Sequence, residues 1–72
     1  MRTKSDPLIR KLIEKLEDPS PAVRRNAAGA LRLHGARAAE AIPALMPLLD
    51  DPDRIVQREA ERALEQLRRA AA

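Results

Sequence analysis

Residues 18–31 run Asp18-Pro19-Ser20-Pro21-Ala22-Val23-Arg24-Arg25-Asn26-Ala27-Ala28-Gly29-Ala30-Leu31, a turn followed by an amphipathic helix. Pro19 ends any helix before it, because the residue preceding a proline is pushed out of the α region. Ser20-Pro21 is a helix start: the serine oxygen can accept from an orphan amide, and proline is tolerated where no amide is needed. Val23, Ala27, Ala30 and Leu31 then recur at helical spacing and share one inner face with His34. Gly35 follows as a left-handed stop.

Outward from this stretch, the chain repeats itself at an offset of 33 positions. Ile9 falls on Ile42, Leu12 on Leu45 and Leu16 on Leu49. Asp18-Pro19 falls on Asp51-Pro52, Val23 on Val56, Ala27 on Ala60 and Ala30-Leu31 on Ala63-Leu64. Four helices are therefore expected. The first starts at Asp6-Pro7, carries Leu8, Ile9, Leu12, Ile13 and Leu16 in one stripe, and stops before Pro19. The second is the one just described. The third runs from about Arg37 to Leu49 with Pro43 and Pro47 inside it. The fourth is capped by Asp53, turns Ile55, Val56, Ala60, Ala63, Leu64 and Leu67 inward, and frays at Ala70-Ala71-Ala72. No period-2 alternation suggests a strand. The expected fold class is all-α: two helical hairpins in one domain over 1–72, the first repeat at about 6–35 and the second at about 37–69.

The quoted stretch resembles the second half of a HEAT-type repeat, of the subclass first noted in phycobilisome lyases. Ala41-Ile42-Pro43-Ala44-Leu45, followed by Leu48-Leu49-Asp50-Asp51-Pro52-Asp53, is similar to the first-helix and turn signature of the same family. The resemblance covers about residues 6–69 and implies a compact four-helix α-solenoid segment. It implies a structural turn pair at Asp18 and Arg24, since the turn Asp and the Arg after the Val bond each other and neighbouring repeats in that family. The second repeat has Gln57 where Arg24 stands, so its share of such a ladder is expected to be weaker. It also implies that Pro43 and Pro47 curve the third helix.

The composition agrees with a helical module. Of 72 residues, 44 % are hydrophobic and 35 % charged, which excludes compositional disorder. There is no aromatic residue and no cysteine, so Leu, Ile, Val, Ala and Met alone build the core, without disulfides or thiolate metal sites. The formal charge of +3 permits an anionic partner without requiring one. No apolar run approaches the ~20 residues of a membrane span, and Met1-Arg2-Thr3-Lys4-Ser5-Asp6-Pro7 leads into no signal-type apolar core. A cytoplasmic location is expected for a natural chain, and the regular repeats suit a de novo designed chain equally. The outer helices carry Lys11, Lys15, Glu61 and Arg62 where the inner ones have Ala44, Leu48, Ala28 and Gly29. Charge at those positions marks terminal caps and suggests a complete four-helix unit.

Candidates for chemistry are few. His34 has no second histidine to join it in a metal site, and its position at a helix C-terminus suits a favourable interaction with the dipole. The paired His-Glu dipeptides of the iron-binding hydroxylase in this family are missing, because Gly35 follows His34. Asp50-Asp51-Pro52-Asp53 lacks the glycine and bidentate glutamate of a calcium loop and reads as turn and cap. There is no Gly-rich phosphate loop, nucleophile elbow or Cys nucleophile, so no enzyme activity, cofactor or metal is expected.

Two surfaces remain. Arg54, Arg58 and Arg62 share a helix face that could grip a nucleic-acid backbone. Glu59, Glu61 and Glu65 are interleaved with them and favour a solvated, ion-paired face instead. The third helix has no charge from Ala41 to Leu49. If Ile42, Leu45 and Leu49 point inward, Ala41, Ala44, Met46 and Leu48 form an outward patch for self-association into a homodimer or larger oligomer. The competing outcome is that the kink at the two prolines turns Leu48 back into the core. The leading functional expectation is a non-catalytic scaffold acting by protein–protein contact, very much including contact with its own copies. Nucleic-acid binding is the alternative, and an accessory subunit for a bilin or other enzyme partner follows from the resemblance alone.

Overall fold

A computed structural model describes residues 6–71, and it is helical without a strand among them. Helix α1 spans Pro7–Lys15 and α2 spans Pro21–His34. Both begin as expected. Asp6 Oδ1 accepts from the Leu8 amide at 2.9 Å, and Ser20 Oγ faces the Val23 amide at 3.5 Å. Helix α2 ends at Gly35, whose φ of 61° is the one positive value among the described residues. That conformation admits glycine without the steric cost of a Cβ.

The expected third helix is not one α-helix. It is a 3-10 segment over Gly35–Ala41, a single α turn over Ile42–Leu45 (α3), and a second 3-10 segment over Met46–Asp50. Ala38 interrupts the first segment at φ −101° and ψ 17°. The prolines account for the break. Pro43 and Pro47 have no amide to donate and crowd the carbonyl four residues back, so the backbone tightens to three-residue bonds around them. The Ile42 amide accordingly donates to the Ala39 carbonyl and the Asp51 amide to that of Leu48, at 3.2 Å for the latter.

Helix α4 spans Arg54–Ala71 and is the longest element. Asp53 Oδ1 caps it, accepting from the Ile55 amide at 2.9 Å and the Val56 amide at 3.0 Å. The helix is still regular at Ala70 and Ala71, and the expected fraying at Ala72 lies outside the described residues.

One core joins the elements. Ile9, Leu16, Ala27, Ala28 and Leu31 from the first unit meet Ala38, Ala41, Leu45, Leu48, Val56, Ala60, Ala63, Leu64 and Leu67. Helix α2 packs along α4, and the first 3-10 segment touches α1, α2 and α4. The resulting body measures 40 × 24 × 17 Å. Three expected inward residues are corrected. Leu8 and Ile55 are half exposed, since each sits at the rim of its stripe in the first turn of its helix. Leu49 is exposed, and Leu48 is buried in its stead. In 3-10 geometry residues three apart eclipse one another, which places Leu48 beneath Leu45.

Candidate functional site

The turn after each unit's first segment is built alike. Asp18 Oδ1 accepts from the Ser20 amide at 2.8 Å, and Asp51 Oδ1 accepts from the Asp53 amide at 2.9 Å. Arg24 Nη1 donates to the Asp18 carbonyl at 2.7 Å, and Gln57 Nε2 donates to the Asp51 carbonyl at 2.6 Å. The expected Asp18–Arg24 pair thus exists through the backbone oxygen of Asp18, and Arg24 Nη1 also reaches the Pro19 carbonyl at 3.0 Å. Its ionic partner is the carboxylate of Asp51.

Arg24 Nε donates to Asp51 Oδ2 at 2.8 Å and Nη2 to Oδ1 at 3.0 Å. This two-pronged contact fits the planar guanidinium to the carboxylate and joins the units across 27 positions. Arg24 and Asp51 side chains are only 13 % and 4 % exposed. The Arg24 hydrogen bonds, helped by the Asp53 amide, hold the Asp51 carboxyl below the usual carboxylate range against the opposing effect of burial. The Asp51 hydrogen bond raises Arg24 correspondingly. The expectation of a weaker role for the second turn is therefore corrected on the acceptor side: Asp51 is the carboxylate that joins the units. Gln57 lacks the charge and second prong that Arg24 supplies. The 33-residue repeat contained the signal, because it places an Asp in both turns and an Arg in one.

A second bridge, between Arg37 and Asp6, joins the segment after α2 to the cap of α1. The Leu8 amide, followed by Arg37, lowers the Asp6 carboxyl below its ordinary range.

The expected interface patch is divided. Ala41 is sealed and Leu48 is 8 % exposed, so both belong to the core of the chain and not to a free surface. Ala44 is half-buried against that core, and Met46 is exposed. The apolar surplus of the third segment is largely consumed inside the molecule. His34 sits half-buried in the last turn of α2, whereas Leu67 at the matching position is buried.

Arg54, Arg58 and Arg62 are all exposed on α4. Among the described residues the interleaved acids pair sparsely: Arg62 with Glu59 at 3.7 Å and Arg69 with Glu65 at 3.1 Å. Arg68 Nη2 lies 3.1 Å from Met46 Sδ. No cluster of three or more His, Asp or Glu side chains among the described residues could hold a metal ion.

Two open grooves run beside Leu49. One, of about 250 Å³, is lined by Leu49, Arg54, Gln57, Arg58 and Glu61. The other, of about 320 Å³, is lined by Leu49, Glu61, Leu64, Glu65 and Arg68. Leu49 and Glu61 border both. This face of α4, with the segment carrying Leu49, is one candidate for contact with another macromolecule. Other large apolar side chains are more exposed than Leu49 at 37 %: Leu33 at 78 %, Leu8 at 51 %, Ile55 at 50 % and Met46 at 43 %. No described helix is long and apolar enough to cross a membrane.

A family model described as HEAT repeats matches residues 9–72. No curated protein and no solved structure matches the chain.

Proposed function

The chain belongs to the HEAT-repeat family, and from that premise we propose that it is a non-catalytic helical-repeat scaffold acting through protein–protein contact, with further copies of itself as partner. Repeats of this kind bury their apolar faces against neighbours, and their extended surfaces serve as binding platforms. We read Gly35–Asp50 as the first helix of a second hairpin, so that the architecture is two HEAT-type hairpins in one domain.

The observation that carries the reading is the contrast at one repeat position. Leu16 is 2 % exposed and its counterpart Leu49 is 37 % exposed. Met46 is exposed close by, and the two grooves flank Leu49. Apolar area left in water forfeits ~25 cal/mol for each Å² that a partner could cover.

Solution mass measured over a wide concentration range tests the proposal. Mass above that of one chain, lost in Leu49→Glu with the helical spectrum intact, is the expected result. A parent that stays monomeric to high micromolar concentration would overturn it. Salt-steep affinity for duplex DNA, abolished by changing Arg54, Arg58 and Arg62 to Gln, would replace it with nucleic-acid backbone binding.

A further inference from the structure

Charge is divided unevenly between the two halves of each unit. Helices α2 and α4 together carry eight arginines and three glutamates, and α2 carries no acid at all. The rest of the chain carries six bases and eight acids. The two basic helices pack side by side: a Cβ placed on Gly29 would lie 3.7 Å from Glu59 Oε1. Under the offset of 33, Ala22 matches Ile55, Arg25 matches Arg58 and Gly29 matches Arg62. The side of α2 turned away from the core therefore continues into the same side of α4, and the two make one surface.

Three observations point to what that surface takes. The first is free positive charge. Arg24 is engaged with Asp51, Arg62 with Glu59 at 3.7 Å, and Arg69 with Glu65. Among the described residues Arg25, Arg32 and Arg58 have no carboxylate partner. The second is Arg32 Nε, a buried donor with no acceptor among the described residues. Buried donors are nearly always satisfied, so an acceptor brought by a partner completes this one. The third is apolar area on the same surface. Leu33, the most exposed of the large apolar side chains, follows Arg32, and half-exposed Ile55 lies one turn before Arg58.

We infer that the α2–α4 surface binds an acidic segment of another protein, one whose carboxylates alternate with apolar side chains. The carboxylates meet Arg25, Arg32 and Arg58, whose guanidinium groups offer two-pronged contacts of the kind Arg24 makes with Asp51. The apolar side chains cover Leu33 and Ile55. A nucleic-acid backbone satisfies the arginines alone: it sets phosphates against Leu33 and Ile55, and the chain has no aromatic side chain on which a base could stack. Of these residues only Arg58 also borders a groove beside Leu49, so the inference goes beyond the self-association proposed above and stands without it.

A fluorescein-labelled synthetic peptide in which Glu and Asp alternate with Leu tests this by anisotropy on the full chain, beside a Gln/Asn/Leu peptide and a labelled DNA duplex. The acidic peptide should bind and weaken as salt rises, and the Gln/Asn peptide should not bind. Arg25→Gln/Arg58→Gln should weaken the acidic peptide about tenfold, whereas Lys11→Gln/Lys15→Gln, which removes the same charge from α1, should leave it unchanged. Arg58→Gln alone, at an exposed position, keeps the test decisive should the double variant lose its helical spectrum. Leu33→Ser should weaken binding without altering its salt dependence, and an unmoved affinity there would overturn the apolar part of the contact. Equal losses from the two double variants would reduce the binding to net charge and overturn the surface. Tighter binding of the duplex than of the peptide at the same salt would overturn the partner. No peptide binding up to millimolar concentration would overturn the inference outright, and a monomeric chain that binds the peptide would sink self-association and leave the inference standing.

Discussion

The two units have matching apolar positions and nearly the same turn, yet they place their apolar residues differently. Ile9, Leu16 and Ala28 of the first are sealed, while Ile42, Leu49 and Glu61 at the same positions are half-buried or exposed. The reverse holds elsewhere: Val56, Ala63 and Leu67 are sealed where Val23, Ala30 and His34 are half-buried. Each unit is buried on the side that meets the other. Repeat position alone therefore does not determine burial; the neighbour does. The same asymmetry governs charge, since the Asp51 carboxylate is bonded by Arg24 of the preceding unit, whereas among the described residues the Asp18 carboxylate is bonded to the Ser20 amide and Arg24 reaches only the Asp18 carbonyl.

The largest expected effects test the shared core. Leu31 and Leu64 are sealed at matching positions, so Leu31→Ala and Leu64→Ala should each cost roughly 2–5 kcal/mol in thermal or denaturant unfolding. For a domain this small either loss is a large share of the total. Equal losses would confirm that the two units share one core, and loss confined to one would separate them.

The comparison is sharpest at Leu16 and Leu49. Leu16→Ala should fall in the same range of roughly 2–5 kcal/mol, whereas Leu49→Ala should cost about 1 kcal/mol or less in dilute monomer. A comparable loss at both sites would mean that Leu49 is covered in the monomer, contrary to its exposure.

The two turn aspartates come next. Asp51→Asn leaves Arg24 without its carboxylate and should lower the melting midpoint clearly more than Asp18→Asn, which keeps its amide bond. Asp51 is depressed below 3.8 in the folded chain, so its stabilisation is fully present above that value. It is lost as pH falls through the lower, folded value. Asp6, lowered for its own reasons, acts in the same direction. The midpoint should thus drop in acid below pH 3.8, and the drop should be shallower in Asp51→Asn. An unchanged acid slope would remove Asp51 as its source.

The smallest expected effect is a gain. Gly29 lies inside α2, and a Cβ there would meet Glu59 Oε1 at an ordinary 3.7 Å. Gly29→Ala should therefore stabilise the chain by roughly 0.5–1 kcal/mol through helix propensity. A loss instead would show that α2 and α4 approach more tightly at this point than that distance allows.

Much of this was legible in the chain itself. The caps at Asp6, Ser20 and Asp53, the glycine stop at Gly35 and the inner stripe of α2 follow from short-range rules, because a cap or a stop involves residues within one helical turn. The offset of 33 also identified equivalent positions without any structure. The third segment was legible only in part. Its two prolines announce a break, but whether Leu48 or Leu49 turns inward depends on how far the backbone tightens around them. Periodicity at α-helical spacing favours Leu49, and the 3-10 geometry places Leu48 in the core.

The helical class, the repeat, the starts of α1, α2 and α4, the stops of α1 and α2, and the residue types available to each face were all readable along the chain. Those are local matters of backbone preference and spacing. Packing of the units settled which copy of each repeated position is covered, and that Arg24 grips the Asp51 carboxylate while reaching Asp18 through its backbone oxygen. Burial and ion pairing across 27 positions depend on which surface a neighbouring unit presents, and a periodic sequence offers the same residue types to both sides.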